Sequence, residues 1–420
     1  MERTDKKEEN RKKRVILHCD CNSFYASVEL LSHPELAASP VAVCGSVEDR
    51  RGIILAKNEA AKRKGVQTAE TVWQAKRKCP DLVLLPPHHE KYAAISKKIN
   101  EIYAKYTDRV EPFSVDESWL DVTDTLHLFA KSGKELADRL RAEVKAETGV
   151  SISVGVSFNK VLAKLGSDYK KPDATTVIGE KELRELVWPM PVERLLFVGG
   201  KTRETLRLMG IHTIGQLAAA PPDALADRLG KLGPQLGGYA RGEEHEPVRP
   251  AGEQREVKSI GNSTTFRRNL ESEQDRRVAV LALADKVAGR LRAHGLYAGT
   301  VQVSIKDPQL RVVSRQKKLP CESFLAKDIA KAALELIDAA WPDKKPIRML
   351  AVTAASLTQR PEPAQLSLFE KAPEPDKKQE KLERAMDSIR KKYGRGAIGE
   401  ASVMKNDLGV GLLDSKHEEE

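Results

Sequence analysis

The sequence predicts an α+β chain of several domains, and three patterns carry that prediction. From Val15 to about residue 178, apolar strands alternate with amphipathic helices in the order of an antiparallel sheet backed by two helices, a ferredoxin-like arrangement. From 179 to 250 the strand signals stop and helical spacing takes over. From about Arg255 to Leu357 the alternation returns, as for a second small sheet with two helices of its own. A length of 420 residues suits about two to four domains, and a hydrophobic share of 40% is enough to build their cores.

The net charge of +10 suits a polyanionic partner such as nucleic acid. The five cysteines, at 19, 21, 44, 79 and 321, are odd in number and show no zinc-like spacing, so a reducing cytosol is expected. No run of 18 apolar residues exists, which leaves no membrane-spanning helix to expect. Residues 1–14 are charged and lack an apolar core; they read as a disordered lead-in, not a secretory signal.

The first strand, Val15 to Cys19, ends in Asp20 and a small aromatic turn, and a helix continues through Ala26 to Leu31. Pro40–Gly45 and Gly52–Ala56 read as short buried strands. Asn58–Lys64 has helical spacing that Gly65 closes, and Thr71–Lys78 forms a second helix that Pro80 closes. Leu82–Pro86 is a strand leading back to the sheet. Tyr92–Tyr106 is a helix with Ile95, Ile99, Ile102 and Tyr106 on one face, and Lys134–Glu147 is another with Leu136, Leu140 and Val144 inward. Ser151–Ser157 alternates as a strand should.

Between those two helices lies Ser114-Val115-Asp116-Glu117-Ser118-Trp119-Leu120-Asp121-Val122. Val115 on one side and Leu120 and Val122 on the other suit adjacent antiparallel strands, with Asp116-Glu117 at the tight turn. An ordinary solvated turn also tolerates Asp. Neighbouring carboxylates repel, however, and a chain that keeps them commonly holds a cation there. With Asp20 at the end of the first strand, three hard oxygen donors converge, a set that suits magnesium.

Asp20-Cys21-Asn22-Ser23-Phe24-Tyr25-Ala26-Ser27-Val28-Glu29 and Ser114-Val115-Asp116-Glu117-Ser118 resemble the two catalytic motifs of Y-family, lesion-bypass DNA polymerases, with the bacterial DNA polymerase IV group as the nearest match. The resemblance runs from about Val15 to Leu357. It implies a right-hand polymerase: a ferredoxin-like palm at 15–22 and 87–178, small fingers at 23–86, a helical thumb at 179–250, and a little finger at 255–357, followed by a flexible tail at 358–420. It implies template-directed addition of dNTPs to a primer 3′ end on primer-template DNA, error-prone and without proofreading, by two Mg2+ ions. Asp20 and Asp116 would bridge the ions, Glu117 would complete one site, and the Cys21 backbone carbonyl would ligate the other.

The same resemblance makes Tyr25 the steric gate against a 2′-hydroxyl, with Phe24 beside it. Lys171, in Tyr169-Lys170-Lys171-Pro172, matches the palm lysine that clamps the triphosphate. In the fingers the more common Tyr-Glu-Ala-Arg becomes Glu59-Ala60-Ala61-Lys62, so Lys62 replaces an arginine and gives up bidentate geometry. Ile53 and Leu55 belong to the roof over the new base pair. Leu196 to Ile211 resembles a helix-hairpin-helix, in which Gly199, Gly200 and Lys201 would meet a DNA phosphate; Phe197 stands where the family more often has glycine. In the little finger, Arg267, Arg268 and Arg348 are candidate phosphate contacts.

After Leu357 the chain turns proline-rich and charged, as a linker would. Within it Gln365-Leu366-Ser367-Leu368-Phe369 resembles the peptide that binds the bacterial sliding clamp, the β subunit. Leu382, Met386, Ile389 and Tyr393 then share one face of a terminal helix with no assigned partner. The expected protein is a monomer in the cytoplasm, associated with the nucleoid. Two other readings fit parts of the chain: a palm-fold nucleotide cyclase, and a catalytically silent DNA-binding or clamp-associated scaffold.

Overall fold

The structure, a computed structural model, describes residues 13–48, 50, 52–253, 256–341, 345–359, 376–404 and 406–410. Most of the expected lead-in, residues 1–12, and the clamp-like peptide Gln365–Phe369 lie outside the described residues. The chain forms two compact units. One holds the residues through Val43 together with Ile54–Glu253; the other holds Cys44–Ile53 and the chain from Gln254 onward. Among the described residues no helix is long and apolar enough to cross a membrane.

The first unit is built on a five-stranded sheet in the order β5-β6-β1-β7-β8. Its strands are β1 (Ile16–Cys21), β5 (Val110–Pro112), β6 (Glu117–Asp121), β7 (Ile152–Ser157) and β8 (Thr175–Ile178). β1 is antiparallel to both neighbours. Two of the expected helices, His89–Ala104 and Gly133–Thr148, cover one face, where Leu17, Leu120, Ile152 and Val154 meet Ile99, Ile102, Leu136 and Leu140.

Three features differ from the expectations. The strand before the acidic pair ends at Pro112, which lacks an N–H for the ladder. The turn is therefore Phe113–Asp116, closed by the Phe113 N–H donating to the Glu117 carbonyl at 2.8 Å. Val115 sits in that turn, 37% exposed, and Glu117 already belongs to β6. Second, β7 is buried along its whole length, because its alternation separates two packed faces. The second face receives an unpredicted helix, Lys160–Tyr169, capped by Asn159, whose side chain accepts from the Leu162 N–H. Gly155 permits that approach: a Cβ there would lie 1.8 Å from the Ala163 carbonyl oxygen. Third, this helix carries the chain across to β8, which runs parallel to β7.

A smaller sheet of β2 (Val41–Cys44), β3 (Ile54–Lys57) and β4 (Val83–Leu85) has the order β3-β2-β4, and β4 pairs with β2 in parallel. The strand expected to lead back to the main sheet thus completes this one. Asn58 caps the short helix Glu59–Arg63 and also accepts from the Val41 N–H at 3.1 Å, tying helix to sheet. Further on, helices Gly200–Leu208, Ile214–Ala219, Pro222–Leu229 and Leu232–Arg241 pack around Leu206, Leu217, Leu225 and Leu236.

The second unit has a four-stranded antiparallel sheet in the order β11-β10-β12-β9, formed by β9 (Ser259–Leu270), β10 (Tyr297–Lys306), β11 (Val312–Ser323) and β12 (Ile347–Thr358). Helices Glu273–His294 and Ala326–Ala340 cover one face. β11 runs well past Leu310–Ser314, the stretch that the sequence marks as a strand. It is a lysine-bearing edge strand with little burial, so hydrophobic pattern marks it weakly. The terminal helix spans Lys377–Tyr393 and lies against Glu273–His294. The segment after it returns to the sheet: Val403, Leu408 and Val410 enter the core, and the Arg267 N–H donates to the Leu408 carbonyl at 3.1 Å.

Candidate active site

Asp20 and Glu117 stand directly opposite each other across the β1–β6 pair. Asp116 ends the turn one residue earlier, and its carbonyl accepts from the Cys21 N–H at 3.0 Å, which fastens the turn to the end of β1. The three predicted acids are thus brought together at one end of the sheet. The side chain of Asp116 accepts from Ser114 Oγ at 2.6 Å.

Like charges opposite one another on a sheet destabilise it. Two lysines counter them. Lys164, on the unpredicted helix, places Nζ 2.5 Å from Glu117 Oε2. Lys171, just past its end, places Nζ 2.7 Å from Asp20 Oδ2 and 2.9 Å from Asp168 Oδ1. With the acids turned toward these lysines, no three His, Cys, Asp or Glu side chains among the described residues stand close enough to share one metal ion.

The two carboxylates are tuned in opposite directions. Burial pushes Asp20 up to about 7, against the pull of Lys171 and with help from Glu117 and Asp168. Burial also works to raise Glu117, but hydrogen bonds from His18 and Lys164 and the charge of Lys164 bring it down to about 2. His18 lies fully buried behind the pair. Burial lowers it to about 4, so the imidazole is neutral at pH 7. Its Nδ1 lies 2.8 Å from Ser167 Oγ, while Nε2 faces Glu117 Oε2 at 3.4 Å.

The donor set fits divalent ions. Two opposed carboxylates, a third at the adjoining turn and a backbone carbonyl at Cys21 offer oxygens of the hard type that such ions take, and a desolvated acid such as Asp20 ionises readily only beside a cation. His18, Lys164 and Asp168 were not expected in this site. Their signal in the sequence is Asn159 followed by Val161, Leu162 and Leu165 at helical spacing, which sets Lys164 and Asp168 one turn apart.

Tyr25 is half-buried at the start of helix Phe24–Ser32 and stacks on Tyr92, with ring centroids 4.0 Å apart. The edge of His89 approaches Tyr25 at 5.7 Å. Phe24 is buried in the core behind Tyr25, so it supports that ring and offers no surface of its own. Lys62 is exposed and lies 3.4 Å from Glu59 Oε1. A second lysine stands nearby: burial and then the charge of Lys62 lower the pKa of Lys57, which donates to Thr68 Oγ1 at 3.0 Å. Ile53 is exposed and Leu55 is half-buried on β3.

Gly199 is the N-cap of helix Gly200–Leu208, and Gly199, Gly200 and Lys201 are all exposed. Phe197 holds a φ of +70°, the left-handed region that favours glycine. In the second unit Arg268 is already engaged, 2.8 Å from Asp275 and 2.6 Å from Asp407. Arg267 runs alongside Gly409, and Arg348 donates to the Arg50 carbonyl at 3.4 Å.

Residues 19–168 match the impB/mucB/samB family, and residues 257–368 match that family's C-terminal domain. The chain is 47% identical over 404 residues to DNA polymerase IV of Acetivibrio thermocellus, covering 96% of this chain and all of the relative. It is 37% identical over 397 residues to DNA polymerase IV 1 of Bacillus subtilis, covering 94% of each chain. The chain belongs to the Y family of DNA polymerases, in the bacterial DNA polymerase IV group. The fold agrees: a solved Y-family DNA polymerase chimera superposes with a TM-score of 0.71 at 23% identity, covering 81% of this chain and 98% of that one. As a Y-family polymerase it is a DNA-directed nucleotidyltransferase of the translesion type. Its substrates are primer-template DNA and dNTPs, and its chemistry depends on divalent metal.

Proposed function

We propose that Asp20, Asp116, Glu117 and the Cys21 carbonyl hold two Mg2+ ions at the sheet end, where the primer 3′-hydroxyl and the α-phosphate of the dNTP meet. When bound, such ions supply charge neutralisation for the attacking and leaving oxygens. The single observation that carries this reading is the cross-strand pairing of Asp20 with Glu117, each held by its own lysine.

The chain's own residues do the rest. Lys171 releases Asp20 and turns to the triphosphate, so the same ammonium neutralises the acid before substrate arrives and the phosphates afterwards. Lys57 and Lys62 add positive charge from the fingers. Tyr25, held by stacking on Tyr92, leaves no room for a 2′-hydroxyl. The exposed N–H groups after Gly199 receive a DNA phosphate, with Lys201 beside them. In the little finger, Arg267 and Arg348 are candidate phosphate contacts, and Arg268 becomes one on leaving Asp275 and Asp407. The peptide Gln365–Phe369 tethers the enzyme to the sliding clamp. The protein works as a monomer in the cytoplasm, at the nucleoid.

Primer extension on undamaged templates and a panel of damaged ones, with Mg2+ or with EDTA, tests this reading. Metal-dependent, distributive extension past at least one lesion supports it. A protein that binds DNA and extends nothing restores the silent-scaffold reading.

A further inference from the structure

The terminal helix Lys377–Tyr393 docks by its charged face. Glu383, 4% exposed, pairs with Arg292 of helix Glu273–His294. Asp387 Oδ2 lies 2.6 Å from Arg292 Nε, and Arg390 lies 2.9 Å from Asp285. A neighbouring face, about a quarter turn round the helix from these residues, is apolar and exposed. Leu382 is 52% exposed, Ile389 36% and Tyr393 66%. With Met386 they recur at intervals of four, three and four residues, the spacing of a helix seam. Amphipathic helices ordinarily bury such a stripe, and an outward apolar stripe with a polar rim marks a docking face. Met386, in the middle of the stripe, is half-buried.

The rim says what fits. Lys378, Lys381 and Lys392 flank the stripe on one side and are exposed. That all-positive border repels a second copy of the same helix and favours an apolar groove edged by acids. Position in the chain narrows the partner further. Seven residues separate Phe369 of the clamp-like peptide from Lys377, where the helix begins. A tether of that length spans at most about 25 Å, so a partner holding the peptide meets the helix at high effective concentration.

We propose that this face is a second contact with the sliding clamp, which takes Gln365–Phe369 in one pocket and the Leu382–Met386–Ile389–Tyr393 stripe on an acidic-rimmed apolar patch beside it. The proposal rests on the clamp-peptide reading above.

The test measures binding of the full chain to purified sliding clamp by surface plasmon resonance. The variants are Gln365→Ala/Leu368→Ala/Phe369→Ala, Leu382→Ala/Ile389→Ala/Tyr393→Ala and Lys378→Glu/Lys381→Glu/Lys392→Glu, with helicity checked by circular dichroism. The expected result is a loss of about tenfold in affinity for each helix variant and a larger loss for the peptide variant. Affinity lost in the peptide variant but unchanged in both helix variants overturns the inference and leaves the peptide reading standing. Affinity unchanged in the peptide variant overturns the peptide reading, and the inference with it. A wild-type dimer in sedimentation that the apolar variant converts to monomer also overturns it, by assigning the face to a second copy.

Discussion

Lys164 Nζ lies 2.5 Å from Glu117 Oε2, and it reaches there from a helix packed on the sheet face over β1 and β7. Together with the His18–Ser167 hydrogen bond, this ion pair ties sheet and helix at the candidate site. Both partners are mostly buried, so removing the ammonium leaves Asp20 and Glu117 facing each other with half their compensation gone. Lys164→Met is expected to destabilise the metal-free protein by roughly 1–3 kcal/mol, with Mg2+ restoring part of the loss. Urea unfolding in EDTA and in Mg2+ checks it. Equal losses in both media would assign Lys164 a purely structural role.

The raised pKa of Asp20 sets a pH dependence. A folded-state value near 7 lies above the unfolded 3.8, so its stabilising contribution is complete below about pH 4 and disappears as pH rises toward 7. Above that range the metal-free fold carries a buried charge that a divalent ion relieves. The rise in melting temperature on adding Mg2+ should be small at pH 5.5 and grow through pH 8. A rise that is the same at every pH would contradict the assignment.

Tyr25 is held in place by Tyr92 at 4.0 Å, so its ring position does not depend on substrate. Tyr25→Ala should lower discrimination against ribonucleotides by roughly 10²-fold in single-nucleotide insertion while sparing dNTP incorporation. Unchanged sugar selectivity would remove the gate from this residue.

Gly155 tests the packing that positions Lys164. A Cβ at this point would meet the backbone of the helix at 1.8 Å, with no flexible side chain to yield. Gly155→Ala should cost at least about 3 kcal/mol in urea unfolding and shift the helix off the sheet. A wild-type midpoint would show that the helix is loosely seated.

These residues also show what the sequence discloses. Asp20, Asp116 and Glu117 were readable because each sits at a strand end or turn with apolar runs on both sides. The Lys160–Tyr169 helix is short and lies between a strand and a lysine-rich turn, so its cap and periodicity are a weak signal, and the lysine that holds Glu117 is hidden with it. His18 lies within the apolar run of β1, where hydrophobic pattern carries no message about a polar neighbour across the sheet. Arg268 reads as a candidate phosphate contact because its partner Asp407 is 139 residues away in the chain. The terminal helix was legible as a helix, but which face it buries depends on Arg292 and Asp285, which no local pattern links to it.

The central claim is that three acids at one sheet end hold divalent ions beside a primer. Single-turnover nucleotide insertion by Asp116→Ala, with primer-template affinity measured on the same preparation, tests it most directly. Insertion is expected to fall to background while DNA affinity stays within about twofold of wild type. Insertion at the wild-type rate with Mg2+ would contradict it.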